Sequence, residues 1–430
     1  MRKKWEGKAI EGVEEVKSKL REEILDAFDY SEKVSDEQLA GEIDRLILRE
    51  AKVNFLTLKK KEELRNELYN SIRGLDILEE LLEKESVTEI MVNGPDHIFV
   101  EENGRLSEWD KHFESEKRLN EVIQRIAADS NRIVNEANPL LDARLEGGSR
   151  INIALSPVAL NGPAVTIRKF SKDVMTMERL IELGAITTEA ADFLKLLVRA
   201  RYNIFISGGT GSGKTTFLNV LSGFISPEER LVTIEDSAEL RIEGVKNIVR
   251  LEMRNKNVDG CNEITIRDLV RNALRMRPDR LILGEVRGDE AVDMLSAMNT
   301  GHDGSLSTGH ANSVMDMMDR LETMILLGTD IPLAAARKQI SSAIDFCIHL
   351  ARMRDGSRKV IEISEILACN DGEIEKNPLF VFKEKGEDEK GAVLGNLVRT
   401  GNCFIQRNKM KNAGLVWEEG NANKNVKDIS

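Results

Sequence analysis

A glycine-rich segment near the middle of the chain has the residue types and the spacing of a phosphate-binding loop. The run Gly208-Gly209-Thr210-Gly211-Ser212-Gly213-Lys214-Thr215 fits the pattern G-x-x-x-x-G-K-[ST] without a mismatch. Its glycines let backbone N–H groups turn toward a phosphate, and the amino end of a following helix adds positive potential. Lys214 is therefore expected to reach the β- and γ-phosphates of a nucleotide, and the Thr215 hydroxyl to hold Mg²⁺.

The residues on either side give this loop the context that it needs. Asn203-Ile204-Phe205-Ile206-Ser207 is a short apolar run typical of a strand, and Thr216-Phe217-Leu218-Asn219-Val220-Leu221 is typical of a helix. A strand, a loop and a helix in this order predict an ATP site that uses Mg²⁺ as cofactor. Its predicted nucleotide-binding residues are Gly208, Gly209, Thr210, Gly211, Ser212, Gly213, Lys214, Thr215 and Thr216, with Thr215 as the metal ligand.

Two acidic residues follow apolar runs further along the chain. Leu231-Val232-Thr233-Ile234 ends in Glu235, and Arg280-Leu281-Ile282-Leu283-Gly284 ends in Glu285. Ligands bind at the carboxyl ends of the strands of a parallel sheet, so both carboxylates are expected at the crevice that holds the loop. A carboxylate there can orient or activate the water that attacks the γ-phosphate. Gly284 stands where the aspartate of a Walker B strand is usual.

Two of the five histidines lie in one segment of small residues, Thr300-Gly301-His302-Asp303-Gly304-Ser305-Leu306-Ser307-Thr308-Gly309-His310-Ala311. Small side chains leave room for a ligand, and a hydroxyl-rich strand end beside a phosphate site is suited to sensing the γ-phosphate. Two alternatives stay open. His302 and His310 could bind a metal ion together with Asp303, or the segment could form a tight structural loop.

Arginines lie on both sides of the predicted nucleotide site. Arg277 precedes the Glu285 strand and Arg287 follows it, whereas Arg144, Arg150 and Arg168 come earlier, before a predicted linker. Hydrolysis needs mobile positive charge near the γ-phosphate, and ring-shaped motors take it from a neighbouring domain or subunit. We therefore predict that some of these arginines act in catalysis or nucleotide binding. The alternative is that they only solvate the surface or form ion pairs there.

The hydrophobic periodicity divides the chain into four segments. Helical spacing dominates the first, with a capping box from Ser35 to Gln38, and strand patterns with turns follow it. Strands and helices then alternate, which predicts a largely parallel sheet. Charge and glycine dominate the last segment. The predicted domains are an N-terminal helical bundle in 1–72, a small α/β domain in 73–175, an ATPase domain in 176–385, and a partly disordered C-terminal extension in 386–430.

Composition narrows the class of protein. The chain has 430 residues, a net charge of -12 and 32% charged residues, without the dominant basic stripe of a dedicated duplex-binding protein. No apolar run approaches the roughly 18 residues that a membrane helix needs. We therefore expect a cytoplasmic protein that reaches the membrane only through a partner. The four cysteines form no Cys-x-x-Cys, so a zinc site of that kind is not predicted.

Taken together, these segments resemble the secretion-superfamily ATPases of type II and type IV secretion. Thr233-Ile234-Glu235-Asp236-Ser237-Ala238-Glu239-Leu240 resembles the aspartate box of that family, and Leu274 to Asp279 with Gly284-Glu285-Val286-Arg287-Gly288 resembles its Walker B region. The histidine-containing segment resembles its histidine box. The likeness covers about residues 75 to 370, and it is closest to the CpaF/TadA-type motor of tight-adherence (Flp) pili. Segments that resemble the family's N-terminal domain are Asp142-Ala143-Arg144-Leu145, Gly148-Ser149-Arg150-Ile151-Asn152 and Thr166-Ile167-Arg168-Lys169-Phe170.

The resemblance implies an α/β fold in which a RecA-like P-loop NTPase motor domain follows a small α/β domain and an N-terminal helical bundle. It implies a hexamer whose N-terminal domain closes over the nucleotide. ATP hydrolysis would drive assembly of a type IV-like (Tad/Flp) pilus or protein secretion across the cytoplasmic membrane. Inner-membrane platform proteins are the implied partners, with no stable nucleic-acid binding and no direct membrane insertion. The implied catalytic residues are Glu235, Glu285, His310, Arg168, Arg277 and Arg287, and the implied additional nucleotide-binding residues are Arg144 and Arg150.

Four other functions remain as alternatives. One is a VirB11-like traffic ATPase of type IV secretion, which shares the absence of a four-cysteine zinc insertion, although the N-terminal helical extension favours the CpaF branch. A second is a DNA-translocating RecA-type ATPase. A third is a GTPase switch, because Asn255-Lys256-Asn257-Val258 is a near miss to the guanine-reading pattern Asn-Lys-x-Asp. A fourth is a non-catalytic scaffold, which the intact Lys214 and Glu285 disfavour.

Overall fold

The computed structural model describes residues 16–28, 34–52, 56–102, 104–145, 147–169, 175–254, 263–370, 372–389 and 391–417. The near miss at Asn255–Val258, most of the predicted linker at 171–177 and the tail beyond residue 420 lie outside these ranges. Contacts divide the chain into two compact units, Met1–Lys172 and Asp173–Ser430. The helical bundle and the small α/β domain predicted as separate segments therefore belong to one unit.

The N-terminal unit begins with helices whose apolar residues recur at helical spacing and pack on one another. The capping box is confirmed: the Gln38 amide donates to the Ser35 hydroxyl, and the Ser35 amide donates to the Gln38 side chain. The helices are α1 at 16–27, α2 at Asp36–Glu50 and α3 at Leu58–Ile72. Their shared core consists of Leu20, Ile24, Leu39, Ile43, Leu46, Ile47, Leu64 and Leu68.

A six-stranded antiparallel sheet forms the rest of the N-terminal unit, in the order β3-β2-β1-β6-β5-β4. Alternate residues of its strands are buried, which matches one apolar face against the core. The strands are β1 Val87–Asn93, β2 His97–Glu102, β3 Arg105–Glu108, β4 Leu140–Arg144, β5 Arg150–Ala154 and β6 Ala164–Arg168, and the helices are α4 Leu78–Glu83 and α5 Glu116–Asp129.

The second unit is built on a nine-stranded sheet with the order β15-β14-β13-β12-β7-β11-β10-β8-β9. Strands β7 to β12 pair in parallel, and β12 to β15 pair antiparallel. The strands are β7 Ile204–Gly208, β8 Leu231–Glu235, β9 Ile248–Glu252, β10 Arg280–Leu283, β11 Leu306–His310, β12 Phe346–Arg352, β13 Arg358–Asn370, β14 Glu373–Glu387 and β15 Val393–Arg399.

Helices cover both faces of this sheet, because parallel neighbours can be joined only by crossovers. Along β7, Ile204 and Ile206 belong to one buried cluster and Phe205 to the other, so the strand is buried on both sides. The helices are α6 Met177–Glu182, α7 Thr188–Arg199, α8 Lys214–Ser222, α9 Ile266–Ala273, α10 Glu290–Asn299, α11 Val314–Gly328, α12 Leu333–Ala343 and α13 Asn408–Asn412.

The start of the predicted C-terminal extension needs a correction. Strand β14 runs across the boundary expected between residues 385 and 386, and β15 adds the outermost strand of the sheet. Of the charged residues that suggested an extension, Lys383, Glu384, Lys385 and Glu387 are exposed on β14, and Asp388 and Glu389 are exposed just after it. Beyond β15, Phe404 and Met410 are buried in the core of the unit, and Trp417 packs against it.

Candidate functional site

The glycine-rich loop leaves β7 at Gly208 and enters α8 at Lys214. A side-chain carbon added at Gly208 would lie 2.5 Å from the carbonyl oxygen of Leu350, so only glycine fits against β12. Gly211 and Gly213 have φ of 68° and 91°, a left-handed backbone that glycine adopts readily. These conformations turn the chain directly into the helix, which is the geometry of a phosphate-binding loop.

Lys214 and Thr215 open the helix that follows. Gly213 is the N-cap of α8, and no side chain of the described residues caps this helix end. The first amides of the helix therefore face the loop as anion donors. The Lys214 ammonium is buried; it donates to the Gly209 carbonyl at 2.9 Å and lies 3.3 Å from Nδ1 of His310.

The carboxyl ends of four neighbouring parallel strands meet at this loop. His310, the last residue of β11, lies opposite Gly208 of β7, Glu285 follows β10, and Glu235 ends β8. The strand order β7-β11-β10-β8 places these residues side by side although they are far apart in sequence. The fold therefore places both carboxylates at the edge of the sheet that carries the loop, as expected for the carboxyl ends of parallel strands.

Glu285 joins the strand ends to charged neighbours. Its Oε1 lies 2.9 Å from Nε2 of His310, and its Oε2 accepts from Arg287 at 2.8 Å. Arg287 also donates to Asp236 at 3.1 Å. The approach of His310 is a close contact rather than an aligned hydrogen bond, and Glu285 Oε1 is buried without a hydrogen-bond partner among the described residues. This oxygen is positioned to accept from a bound water or to face a cation.

His310 lies between the lysine and the acid. Burial is the largest effect on its pKa, and together with Lys214 and Arg287 it lowers that pKa despite the opposing charge of Glu285. The ring is therefore neutral at pH 7. A neutral imidazole can accept from Lys214 on Nδ1 and carry its proton on Nε2, next to Glu285.

Glu235 is the more deeply buried of the two acids, with 2% of its surface exposed. Its Oε2 accepts from the amides of Glu239 at 2.6 Å and Leu240 at 2.8 Å, and its Oε1 has no partner among the described residues. Burial raises the pKa of Glu235 to about 7, even though both amide bonds lower it. This carboxyl can gain or lose a proton near neutral pH.

The packing of Glu235 explains why glycine stands at position 284, where an aspartate is usual. A side-chain carbon added at Gly284 would lie 3.0 Å from Cγ of Glu235. The Gly284 carbonyl also accepts the Thr308 hydroxyl at 2.7 Å, which joins β10 to β11. The Glu235 side chain thus takes the space in which a Walker B aspartate would begin.

The other histidine of the segment is directed elsewhere. Nδ1 of His302 lies 3.3 Å from the Ala297 carbonyl, and Asp303 pairs with Lys409 at 2.6 Å. Within the described ranges, no group of three histidine, cysteine or acidic side chains could hold a metal ion. The metal-site alternative for His302, Asp303 and His310 is therefore not assembled, since His310 contacts Lys214 and Glu285 instead.

The predicted arginines have different positions. Arg287 lies at the site, but Arg277 is exposed on the turn that enters β10, at the end of the strand opposite Glu285. Arg144, Arg150 and Arg168 lie in the N-terminal sheet, where Arg150 is directly opposite both Arg144 and Arg168. Directly opposed residues share one face, so these three form a row across β4, β5 and β6.

Two arginines beside the loop are absent from the sequence-based set of site residues. Arg358 Nε donates to the Gly211 carbonyl at 3.3 Å, and a carbon added at Gly211 would lie 3.8 Å from a guanidinium nitrogen of Arg352. They flank the Asp355-Gly356 turn between β12 and β13. That turn is readable from the sequence, but its position over the loop depends on the pairing of β12 with β7.

Comparison with known proteins agrees with this arrangement. The family model described as "Type II/IV secretion system protein" matches residues 72–405. A putative conjugal transfer protein of Mycobacterium tuberculosis is 36% identical over 339 residues, which are 77% of this chain and 95% of that protein. The type IV secretion system protein PtlH of Bordetella pertussis is 32% identical over 315 residues, 67% of this chain and 93% of PtlH.

A solved structure supports the fold. The ATPase DotB of Yersinia pseudotuberculosis aligns with a TM-score of 0.50 and 19% sequence identity, over 67% of this chain and 77% of DotB. No helix in the described residues is long and apolar enough to cross a membrane. The family match spans the N-terminal sheet and the nine-stranded unit together. With its RecA-like P-loop fold and its relatives in type IV secretion, the chain belongs to the type II/IV secretion system protein family of ATPases.

Proposed function

We propose that this protein is a Mg²⁺-dependent ATPase motor that acts as a homohexamer and drives assembly of a type IV-like (Tad/Flp) pilus or protein secretion across the cytoplasmic membrane. One observation carries the catalytic part of the proposal. Lys214 of the phosphate-binding loop contacts His310, and His310 contacts Glu285, so the loop and the acid are joined by a single side chain. A change at the phosphates can pass through His310 to the acid.

Nucleotide binding would change the contacts of Lys214. Its ammonium now donates to the Gly209 carbonyl and faces His310. Phosphate oxygens are stronger, charged acceptors, so Lys214 exchanges these contacts for the β- and γ-phosphates. His310 then loses the lysine and is free to donate to the γ-phosphate or to turn further toward Glu285. This exchange is how the site would distinguish bound from absent γ-phosphate.

Hydrolysis would use the two acids in different roles. Glu285 accepts from Arg287 at Oε2, and its Oε1 has no hydrogen-bond partner among the described residues, so Oε1 can accept a hydrogen from the attacking water and orient it. Glu235 has a pKa raised to about 7 by burial, so it can hold a proton released near neutral pH. The Arg287 guanidinium holds the Glu285 side chain in position through its hydrogen bond to Oε2.

The residues at the loop fit a bound Mg²⁺. Magnesium ions take oxygen ligands, usually one or two carboxylates or hydroxyls besides phosphate and water. The Thr215 hydroxyl is on the first turn of α8, and at adjacent strand ends Glu235 and Glu285 each have one carboxylate oxygen without a hydrogen-bond partner in the described ranges. Thr215 would hold the ion directly. When bound, the ion neutralises charge that develops on the β- and γ-phosphates.

In this proposal, the arginines outside the phosphate-binding loop reach the nucleotide only through domain closure or subunit assembly. The row of Arg144, Arg150 and Arg168 places three cations on one face of the N-terminal sheet. Closure of the N-terminal unit over the nucleotide would bring this charge to the phosphates. Arg277 lies at the far end of β10 from Glu285, so a catalytic role for it requires a neighbouring subunit.

The net charge and the implied partners indicate where in the cell the protein acts. A net charge of -12 disfavours stable binding to nucleic acid or to anionic lipid by itself. We infer a cytoplasmic protein that is peripheral at the membrane and is held there by inner-membrane platform proteins. Cross-linked membranes from the native host, purified through a tagged chain, test this: recovery of small polytopic platform proteins supports the pilus reading.

A second candidate is supported by the relatives. One similar protein is described as a conjugal transfer protein and another as a type IV secretion system protein. A VirB11-like traffic ATPase of type IV secretion is therefore the alternative, with DNA translocation as its variant. Recovery of type IV secretion channel components in the same purification would favour it. Marked stimulation of ATP hydrolysis by single-stranded DNA would favour DNA translocation over pilus assembly.

A further inference from the structure

Two arginines face each other at the edge of the phosphate-binding loop. Arg352 ends β12, Arg358 begins β13, and the two are directly paired in the antiparallel register. Arg358 Nε donates to the Gly211 carbonyl at 3.3 Å, and an added carbon at Gly213 would lie 3.9 Å from Cγ of Arg358. A carbon added at Gly211 would lie 3.8 Å from Arg352. Both side chains therefore lie against the loop that cradles phosphate.

This pairing is unfavourable unless an anion is present. Like charges directly opposite on neighbouring strands destabilise a sheet. Both side chains are exposed, and among the described residues neither forms an ion pair that would offset the repulsion. The amino end of α8 and Lys214 already make the loop electropositive. Of the two arginines, Arg358 bonds directly to the phosphate-binding loop, through the Gly211 carbonyl.

The turn that carries the two arginines is held in place from the far side. Arg354, between them in sequence, donates to Glu384 at 2.7 and 3.1 Å and also bonds to Glu387, both on β14. Asp355 accepts from the Val393 amide of β15 at 2.7 Å. The last two strands of the sheet thereby fix the turn, which limits how far the arginines can move from the loop.

We propose that Arg352 and Arg358 bind the phosphate chain of the nucleotide together with the P-loop, and that Arg354 positions them through its ion pairs with β14. The inference rests on the proposed function of the loop as an ATP site. It assigns the C-terminal strands a role in nucleotide binding. Guanidinium groups suit this role because they donate in a planar fork to phosphate oxygens.

Equilibrium binding of ADP to the full-length chain tests the assignment. The variants are Arg352→Ala, Arg358→Ala and the double variant, with Arg352→Lys and Arg358→Lys as charge-retaining partners. Each arginine loss is expected to weaken ADP binding about 10-fold or more, because a hydrogen bond to a charged group is lost. Lysine is expected to restore part of the affinity. Arg354→Ala is expected to weaken binding less, with a faster ADP dissociation rate.

Controls separate the possible outcomes. Arg250→Ala removes an exposed arginine on the edge strand β9, and it should bind ADP as the wild type does. Lys214→Ala tests the ATP site itself: normal binding in that variant overturns the proposed function. If Lys214→Ala loses ADP but Arg352→Ala and Arg358→Ala bind within twofold of wild type, only this inference is overturned. An equal loss of adenosine binding would assign the arginines to the nucleoside and contradict the phosphate contact.

Discussion

Nζ of Lys214 lies 3.3 Å from Nδ1 of His310, so the phosphate-binding loop is in contact with the end of the neighbouring strand β11. The contact requires a neutral imidazole, because a protonated Nδ1 would repel the ammonium. Burial and the two neighbouring cations lower the pKa of His310 and keep it neutral. The same ring approaches Glu285 from its other nitrogen, at 2.9 Å.

His310→Ala is expected to separate ATP binding from hydrolysis. The variant keeps Lys214 and the loop, so ATP affinity should change little, whereas turnover should fall about 10²-fold because Glu285 loses its link to the γ-phosphate. Lys214→Ala should instead weaken ATP binding roughly 10- to 100-fold, through loss of a charge-assisted contact. Isothermal titration with ATP and steady-state phosphate release distinguish the two effects. Equal loss of affinity in both variants would contradict a sensing role for His310.

Glu285→Gln is expected to bind ATP and hydrolyse it slowly. The amide keeps the shape of the side chain but loses the charge that orients water, so turnover should fall by about 10²–10⁴-fold. Phosphate release under saturating ATP and Mg²⁺ is the measurement. Glu228→Gln, an exposed acid in the loop before β8, is the matched control and should keep normal turnover. Normal turnover of the Glu285 variant would remove this acid from the mechanism.

The raised pKa of Glu235 predicts that the stability of the folded chain depends on pH. Its folded pKa is about 7 and its ordinary value is 4.5, so the folded chain holds a proton that the unfolded chain releases between these pH values. The stabilisation is complete below about pH 4.5 and is lost as pH rises through 7. Relative to Glu235→Gln, the wild type should therefore lose stability as pH increases from 5 to 8, by up to about 1.4 kcal/mol per pH unit.

Thermal melts of the nucleotide-free proteins at several pH values measure this difference. As the pH is raised, the melting temperature of the wild type should fall relative to that of Glu235→Gln. Wild-type turnover should also rise through about pH 7 if Glu235 holds the released proton. A gap that stays constant from pH 5 to 8 would mean that Glu235 is ionised throughout this range.

Gly284→Ala is expected to destabilise the ATPase unit because the new carbon meets Cγ of Glu235 at 3.0 Å. Overpacking of this kind costs on the order of 1–3 kcal/mol. Gly401→Ala is the matched control, since no atom of the described residues lies within 4 Å of a carbon added there. If Glu235→Ala relieves the clash, the double variant should recover part of the melting temperature. Equal melting temperatures for Gly284→Ala and the wild type would show that Glu235 can move aside without cost.

The Arg168→Ala variant is expected to bind ATP but to hydrolyse it slowly, because we expect Arg168 to act at the nucleotide site of a neighbouring chain. An arginine delivered to the γ-phosphate can contribute about 10³–10⁵ in rate. Mixing Arg168→Ala with Lys214→Ala chains creates some complete sites if the arginine acts between subunits, so part of the activity should return. Arg105→Ala, an exposed arginine of the same sheet, is the control. Mixed rings that form without any recovery would exclude action in trans.

Much of the site could be predicted because its residues are contiguous. The phosphate-binding loop uses successive backbone amides, a lysine and a threonine, all within Gly208 to Thr215. This short segment is therefore sufficient to predict its chemistry. The strand before it and the helix after it follow from hydrophobic periodicity, and both are present as β7 and α8. The α/β fold class is confirmed for the same reason, since alternating elements predict a parallel sheet.

The remainder depends on strand order, which no local pattern contains. Strands β7, β11, β10 and β8 lie side by side in an order different from that along the chain, and this brings Lys214, His310 and Glu285 into contact. Packing of Glu235 against β10 explains Gly284, which the sequence showed only as a departure from the family pattern. The pairing of β12 with β7 is what places Arg352 and Arg358 at the loop. Periodicity identifies each strand, but only long-range pairing selects its neighbours.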